Sequence, residues 1–268
     1  MHNLVCRTDA IFHRRDGFID VYPTHWAIRT PNNPSFWFGN YLLFREAPRA
    51  GALTSWLDLH RETFGSTLNH ITLGWDEPKL GEISQFIEAG FKPSHGISLS
   101  MSGYHGGIAI NPDLKVRPLQ TAQEWETMLQ QQIQIDAEDF HYPEDNGVFR
   151  RRQMEASQAM VKDQRGHWWG AFRGHELVGG MGLFFDETET IGRFQYVTTA
   201  RAYRRQRVCT TLLDHIVRHA FATVNPECLV ICTDADEKNA AIPTYRNFGF
   251  KDAMRSYAVI RLEAQAGS

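Results

Sequence analysis

FQYVTTARAYRRQRVCTTLLDHIVRHAFATV, residues 194–224, is the stretch from which the fold can be read. Its first six residues have the β-branched and aromatic character of a strand. The turn ARAYRRQR follows with arginines at 201, 204, 205 and 207, and then Val208, Leu212, Ile216 and Ala220, flanked by Leu213, Val217 and Phe221, repeat at helical spacing. A strand, a tight turn and a helix in that order aim a helix N-terminus and free backbone N–H groups at one point. Such a point attracts anions, pyrophosphate above all.

Working upstream, HWWGAF, ELVGGMGLFF and TIGRFQYVTT read as strands separated by the turns RGH and DETE. Connections this short predict an antiparallel meander. Before it, Thr121 and Glu124 form a T-x-x-E capping box ahead of a stripe of Trp125, Met128, Leu129 and Ile133, which predicts a helix. A weaker helical pattern covers residues 148–162. Downstream, CLVICTD reads as a strand covered on both faces. NAAIPTYRNFGFKD reads as a short helix ended by Gly249, and SYAVIRLE as a closing strand.

The first 111 residues are rich in aromatic side chains and poor in long helical patterns. SFWFGNYLLF predicts a strand, ALTSWLDLHRETF a short helix, and LNHITLGW a strand. KLGEISQFIEAGFK predicts a helix with Leu80, Ile83, Phe86 and Ile87 on one side, ended by Gly90, and GISLSMSG a closing strand. Between residues 102 and 118 glycine and proline punctuation replaces long apolar side chains. A boundary near Pro112 gives domains 1–112 and 113–268.

With 268 residues, 42% of them hydrophobic, the chain fills a core, and a net charge of -3 excludes a surface built wholly for nucleic acid. The four cysteines, Cys6, Cys209, Cys228 and Cys232, lack C-x-x-C spacing, so reduced thiols and a cytoplasmic location are expected. No leader and no membrane-length apolar run is read, so a soluble protein is predicted.

Two motifs carry a resemblance to the GCN5-related N-acetyltransferase (GNAT) family. RRQRVCTTLL, residues 204–213, resembles the family's R/Q-x-x-G-x-G/A loop, and NAAIPTYRNFGFK, residues 239–251, is similar to its N-x-x-A-x-x-x-Y-x-x-x-G-F signature. The resemblance implies an α/β (α+β) fold with a mixed, mostly antiparallel sheet flanked by helices. It also implies acetyl-CoA as cosubstrate, no metal, and acetyl transfer to a primary amine by direct attack. Arg204, Arg205, Gln206, Arg207, Val208, Cys209 and Thr210 would then hold the pyrophosphate. Val197, Thr198 and Thr199 would hold the pantetheine arm and carbonyl through their backbone. Tyr245 would protonate the leaving thiolate. Asn239 would orient the cofactor or a water, or else cap the following helix.

The loop departs from the family where Arg207 and Cys209 replace both glycines. Either arginine charge compensates, through Arg201, Arg204, Arg205 and Arg207, or CoA binding is lost. The second outcome leaves a non-catalytic CoA-binding or protein-interaction member of the same fold. FIEAGFK, residues 86–92, lines up with YRNFGFK, residues 245–251, so the first half looks like an eroded copy of the same fold, with Phe86 at the tyrosine position and APRAGAL as its loop remnant.

The general base has several candidates. Asp136, Glu138, Asp139, Glu144 and Asp145, with His141 and Tyr142, form either an acidic entrance for a cationic small-molecule or peptide amine or a solvated loop. Asp186, Glu187 and Glu189 form another acidic turn, and Asp234 or Asp236 is a third option. His215 and His219 sit one helical turn apart, but no third ligand or HExxH context supports a metal, and a solvated helix face is the favoured reading. Homo-oligomerisation is left open.

Overall fold

The computed structural model describes residues 1–139, 146–236 and 238–263. In chain order the elements are α1 (Leu4–Asp16), β1 (Phe18–Val21), β2 (His25–Arg29), β3 (Tyr41–Phe44), α2 (Ala52–Phe64), β4 (His70–Trp75), α3 (Ser84–Glu88) and β5 (Lys92–Met101). After them come β6 (Lys115–Pro118), α4 (Ala122–Asp139), α5 (Asn146–Lys162), β7 (Gly166–Arg173), β8 (Glu176–Phe185) and β9 (Ile191–Thr199). The chain continues through α6 (Val208–Thr223), β10 (Cys228–Asp234), α7 (Ala241–Phe248) and β11 (Lys251–Leu262). Strands pair mostly antiparallel and helices flank them, the mixed α/β class expected from the sequence.

The chain forms two compact units whose segments interleave. The first contains Met1–Ser98, Cys232–Asn239 and the chain from Asp252 onward, and the second contains Leu99–Ile231 and Ala240–Lys251. A single cut at residue 112 therefore does not separate them. In the first unit β11 pairs antiparallel with β4, Val259 opposite Leu73, so the last strand of the chain completes the first sheet. In the second unit the connection before β6 is held on α6, where the Tyr104 hydroxyl donates to Asp214 at 2.6 Å. These contacts are nonlocal, and punctuation along a sequence does not encode them.

Each unit repeats one topology. In the first, β1, β2 and β3 form an antiparallel meander, and β4, reached through α2, pairs parallel with β3. In the second, β7, β8 and β9 form the meander, and β10, reached through α6, pairs parallel with β9. The short helices α3 and α7 both end on a left-handed glycine, Gly90 at φ 85° and Gly249 at φ 117°, a conformation open to glycine without a Cβ clash. The internal repeat is thus present in backbone as well as in sequence.

The first core stacks Phe44 on Trp56, ring centroids 3.7 Å apart, with Trp75, Phe86, Phe91 and Val259 packed around them. In the second, Met128, Leu129, Met181, Phe184, Leu212, Leu213 and Ile216 are buried, and the faces of α4 and α6 follow the stripes read from the sequence. The capping box forms as expected: Thr121 Oγ1 accepts from Glu124 N–H at 3.2 Å, and Glu124 accepts from Thr121 N–H at 3.3 Å.

The structure corrects the N-terminal reading, which also had no counterpart of β1 and β2. Helix α1 was not anticipated, because it buries Cys6, Thr8, Ala10 and His13 rather than an apolar stripe. Its start is fixed instead by Asn3, whose side chain accepts from Val5 N–H at 3.0 Å and whose own N–H donates to buried Asp76 at 2.9 Å. The strand expected over residues 35–44 shortens to β3, because Trp37–Gly39 is a 3-10 turn tied down by the Asn40 amide, which donates to the carbonyls of Asn33 and Phe36. The helix expected over residues 79–92 contracts to α3.

Candidate active site

The loop between β9 and α6 holds two left-handed residues, one of them at a position where the family motif has glycine. Arg205 has φ 63°, and Arg207, the N-cap of α6, has φ 61° and ψ 23°, both left-handed. A residue with a Cβ loses roughly 1–2 kcal/mol in that conformation. No side chain caps the helix, and the amides of Val208, Cys209 and Thr210 lie in its first turn, where no intrahelical acceptor reaches them. The loop is braced from behind: Asn111 donates to Gln206 O at 2.9 Å, its N–H donates to Thr211 Oγ1 at 2.9 Å, and Thr211 Oγ1 donates to Arg207 O at 2.7 Å.

The arginines divide into two pairs. Arg204 meets Asp139 at 2.5 Å and Arg201 meets Glu138 at 3.3 Å, so these two answer carboxylates on α4 instead of standing free for phosphate. Arg205 and Arg207 are exposed and have no side-chain partner among the described residues. Glu138 and Asp139 are correspondingly neither a free acidic entrance nor an unpaired loop. His141, Tyr142, Glu144 and Asp145 lie outside the described residues.

Val197, Thr198 and Thr199 close β9, with Val197 in a bulge and the two threonines just beyond it. Gly182 pairs with Gln195 and Gly180 with Thr198, so Tyr196 and Val197 together oppose Met181 alone, and Tyr196 takes φ 30°. Parallel pairing with β10 runs only through Ile191–Arg193, which leaves one edge of the bulged segment outside that ladder.

Tyr245 is buried on the inner face of α7. Burial, helped by the neighbouring Cys209 thiol, holds its phenol well above the ordinary range, so it carries its proton. Desolvation likewise pushes the half-buried Cys209 thiol up to about 12, which favours the thiol over a thiolate at this helix start. Val208 is buried, Gln206 bonds back to Ala202 O at 2.9 Å, and Thr210 Oγ1 lies 3.4 Å from Arg207 O. The second unit thus contains the whole set except Asn239, which belongs to the first. Asn239 does not cap α7, whose N-cap is Ala240. Its amide donates to Thr233 Oγ1 at 2.7 Å and to Asp234 O at 2.9 Å.

Of the other acidic candidates, Asp186 closes the β8–β9 turn by accepting from Ile191 N–H at 3.0 Å and Thr188 Oγ1 at 2.9 Å. Asp236 accepts from Lys238 N–H at 2.8 Å within its own loop. His215 and His219 pack against Trp169, ring centroids 5.3 and 4.9 Å away, and no group of metal-ligating side chains occurs among the described residues. Asp136 is buried and paired with Arg150, and both meet Tyr196. Sequence reading placed Asp136 only in a loose acidic cluster and missed Arg150 and Tyr196, since nothing in their spacing joins three residues on three separate elements.

A family model described as the acetyltransferase (GNAT) family matches residues 129–250, from the middle of α4 to Phe250. Among solved structures, a functionally unknown conserved protein from Staphylococcus epidermidis is similar with a TM-score of 0.73 at 11% identity, covering 93% of this chain and 96% of that one. A GCN5-related N-acetyltransferase from Kribbella flavida gives 0.63 at 13%, covering 99% and 98%. A tandem GNAT protein from the clavulanic acid biosynthesis pathway gives 0.55 at 10%, covering 84% and 74%. At these identities the likeness is one of fold. Comparison with curated proteins gives no match. Residues 129–250 are therefore similar to the GNAT family, and the fold seen in GNAT proteins extends over nearly the whole chain.

Proposed function

We propose that the second unit binds acetyl-CoA and transfers its acetyl group to a primary amine by direct attack. The observation that carries this reading is the left-handed backbone at Arg207, the first of the two family glycine positions, with a second left-handed residue, Arg205, beside it at the start of α6. Such strain persists where the surrounding structure enforces it, and at functional sites in particular. Amides of Val208, Cys209 and Thr210, with the free guanidinium groups of Arg205 and Arg207, suit a pyrophosphate. Arg201 and Arg204 act as braces to α4. The backbone of Val197, Thr198 and Thr199 suits the acyl arm. Asn239 secures the end of β10 and is left out of the cofactor set.

Acetyl-CoA supplies the activated acetyl thioester. As the amine nitrogen bonds to the acetyl carbon, the carbon–sulfur bond breaks and the amine gives up one proton. Tyr245 gives its phenolic proton to the departing thiolate, the proton released by the amine passes to solvent, and Tyr245 regains one from solvent, so the net products are an amide and free CoA. The two interleaved units are two copies of one fold, and the first copy serves as scaffold. Four free cysteines and the lack of any helix, among the described residues, long and apolar enough to cross a membrane accord with a cytoplasmic enzyme.

Calorimetry with acetyl-CoA at millimolar concentration tests the binding, and an amine screen followed by free-thiol release tests the transfer. Absence of binding removes the enzyme reading and leaves an interaction protein. Binding without turnover on any amine leaves a CoA-binding member of the fold.

A further inference from the structure

We infer that Tyr196, Asp136 and Arg150 form a positioning network for the reacting end of the acyl donor, an inference that rests on the acetyl-CoA reading of this site. Asp136 on α4 is wholly buried, and Arg150 on α5 grips it in a forked pair, Nε to one oxygen and an Nη to the other at 2.9 Å. The Tyr196 hydroxyl donates to the same carboxylate, and the Arg150 guanidinium lies 4.1 Å over the Tyr196 ring. Arg150 spends a further N–H on Gln153 at 2.7 Å. Three elements, α4, α5 and β9, therefore meet at one ionic knot.

Its placement on the bulge gives the knot a role beyond packing. Tyr196 has φ 30° with a bulky side chain, a conformation that costs on the order of 1–3 kcal/mol and survives only where neighbours over-determine it. The hydrogen bond to Asp136 on one side and the cation above the ring supply that determination. An apolar trio of similar volume would stabilise a core at least as well as a buried ion pair, so what the pair adds is a fixed geometry. The geometry it fixes is the bulge that delivers Val197, Thr198 and Thr199, the backbone assigned to the acyl arm. Both oxygens of Asp136 are engaged, so it acts through Tyr196 and the bulge and does not serve as the general base.

Tyr196→Phe removes one hydroxyl and leaves the ring under Arg150, so the fold is expected to survive. Two probes separate the two ends of the site by calorimetry: adenosine 3′,5′-bisphosphate, which reaches only the phosphate loop, and acetyl-CoA, which spans loop and strand. The expected result is an acetyl-CoA affinity about 10-fold weaker with the bisphosphate unchanged, in keeping with loss of one hydrogen bond to a charged group. Arg150→Lys, which keeps the charge beside Asp136 but loses the fork and the ring contact, is expected to give the same split more strongly. Equal weakening of both probes, or no weakening of either in both variants, overturns the network while leaving the proposed function in place. A wild-type protein that binds neither probe overturns the proposed function and this role with it.

Discussion

The two units build the same turn and answer it differently. In the first, β3 leads through residues 45–51 to α2, whose N-cap Gly51 is left-handed at φ 82° and ψ 2°. In the second, β9 leads to α6 through Arg207 at φ 61° and ψ 23°. The first turn is filled from within: Glu77 accepts from Ala47 N–H at 3.0 Å, and Gln85 accepts from Leu53 N–H at 3.0 Å and donates to Arg49 O at 2.8 Å. The second has no side-chain cap at its helix start, and it keeps a protonated Tyr245 where the first has Phe86. In the first turn a carboxylate, Glu77, holds a loop amide and the Gln85 amide takes an N–H of the helix start. In the second, no side chain takes the first amides of α6.

The difference between Tyr245 and Phe86 is the part of this comparison with the largest expected effect. Tyr245→Phe should lower turnover on an accepted amine by about 10²-fold or more, the usual scale for losing a general acid, with acetyl-CoA affinity retained. Unchanged turnover would remove Tyr245 as the acid and leave the two positions chemically equivalent. Next comes the cradle itself. The double change Arg205→Glu and Arg207→Glu should weaken acetyl-CoA binding by on the order of 10- to 100-fold in calorimetry, whereas Arg49→Glu in the filled turn should leave it unchanged. Equal losses would mean that both turns bind CoA.

A subtler change restores what the second cradle lost. Arg207→Gly relieves the left-handed strain and should raise stability by about 1 kcal/mol, seen as a higher melting temperature, while acetyl-CoA affinity falls a few-fold with the guanidinium. If affinity rises instead, backbone approach dominates and the arginine is a hindrance. The smallest effect belongs to Glu77. Its hydrogen bond from Ala47, followed by its contact with Lys79, holds the carboxyl below its ordinary value of 4.5. A depressed carboxyl contributes stability above pH 4.5 and loses it as pH falls through the lowered folded value. Glu77→Gln should therefore lower the urea midpoint slightly at pH 7, with the difference vanishing in stronger acid. A difference that persists unchanged in acid would show that the charge of Glu77 does not hold the turn.

What could be read from the sequence was local. The stripe of α6, the capping box at Thr121 and Glu124, and the glycine stops at 90 and 249 are each written within a few residues, and each formed as read. Helix α1 escaped because its buried face mixes small and polar side chains and its anchor, Asp76, lies 73 residues from Asn3. The left-handed turns at Arg205 and Arg207 escaped because arginine gives no hint of positive φ. The pairing of Arg204 with Asp139, 65 residues away, turned a supposed phosphate contact into a brace. In each miss, a contact distant in sequence overrode what neighbouring residues prefer.

The position of β11 also sets the order in which the molecule can be made. Val259 is fully buried in the first core, and β11 covers the edge of β4 in register from Tyr257 opposite Trp75 to Leu262 opposite His70. During synthesis the first half emerges with that edge bare and its core short of one strand, an open invitation to pair with another nascent chain. It must wait, unfinished, while more than half of the protein is translated behind it.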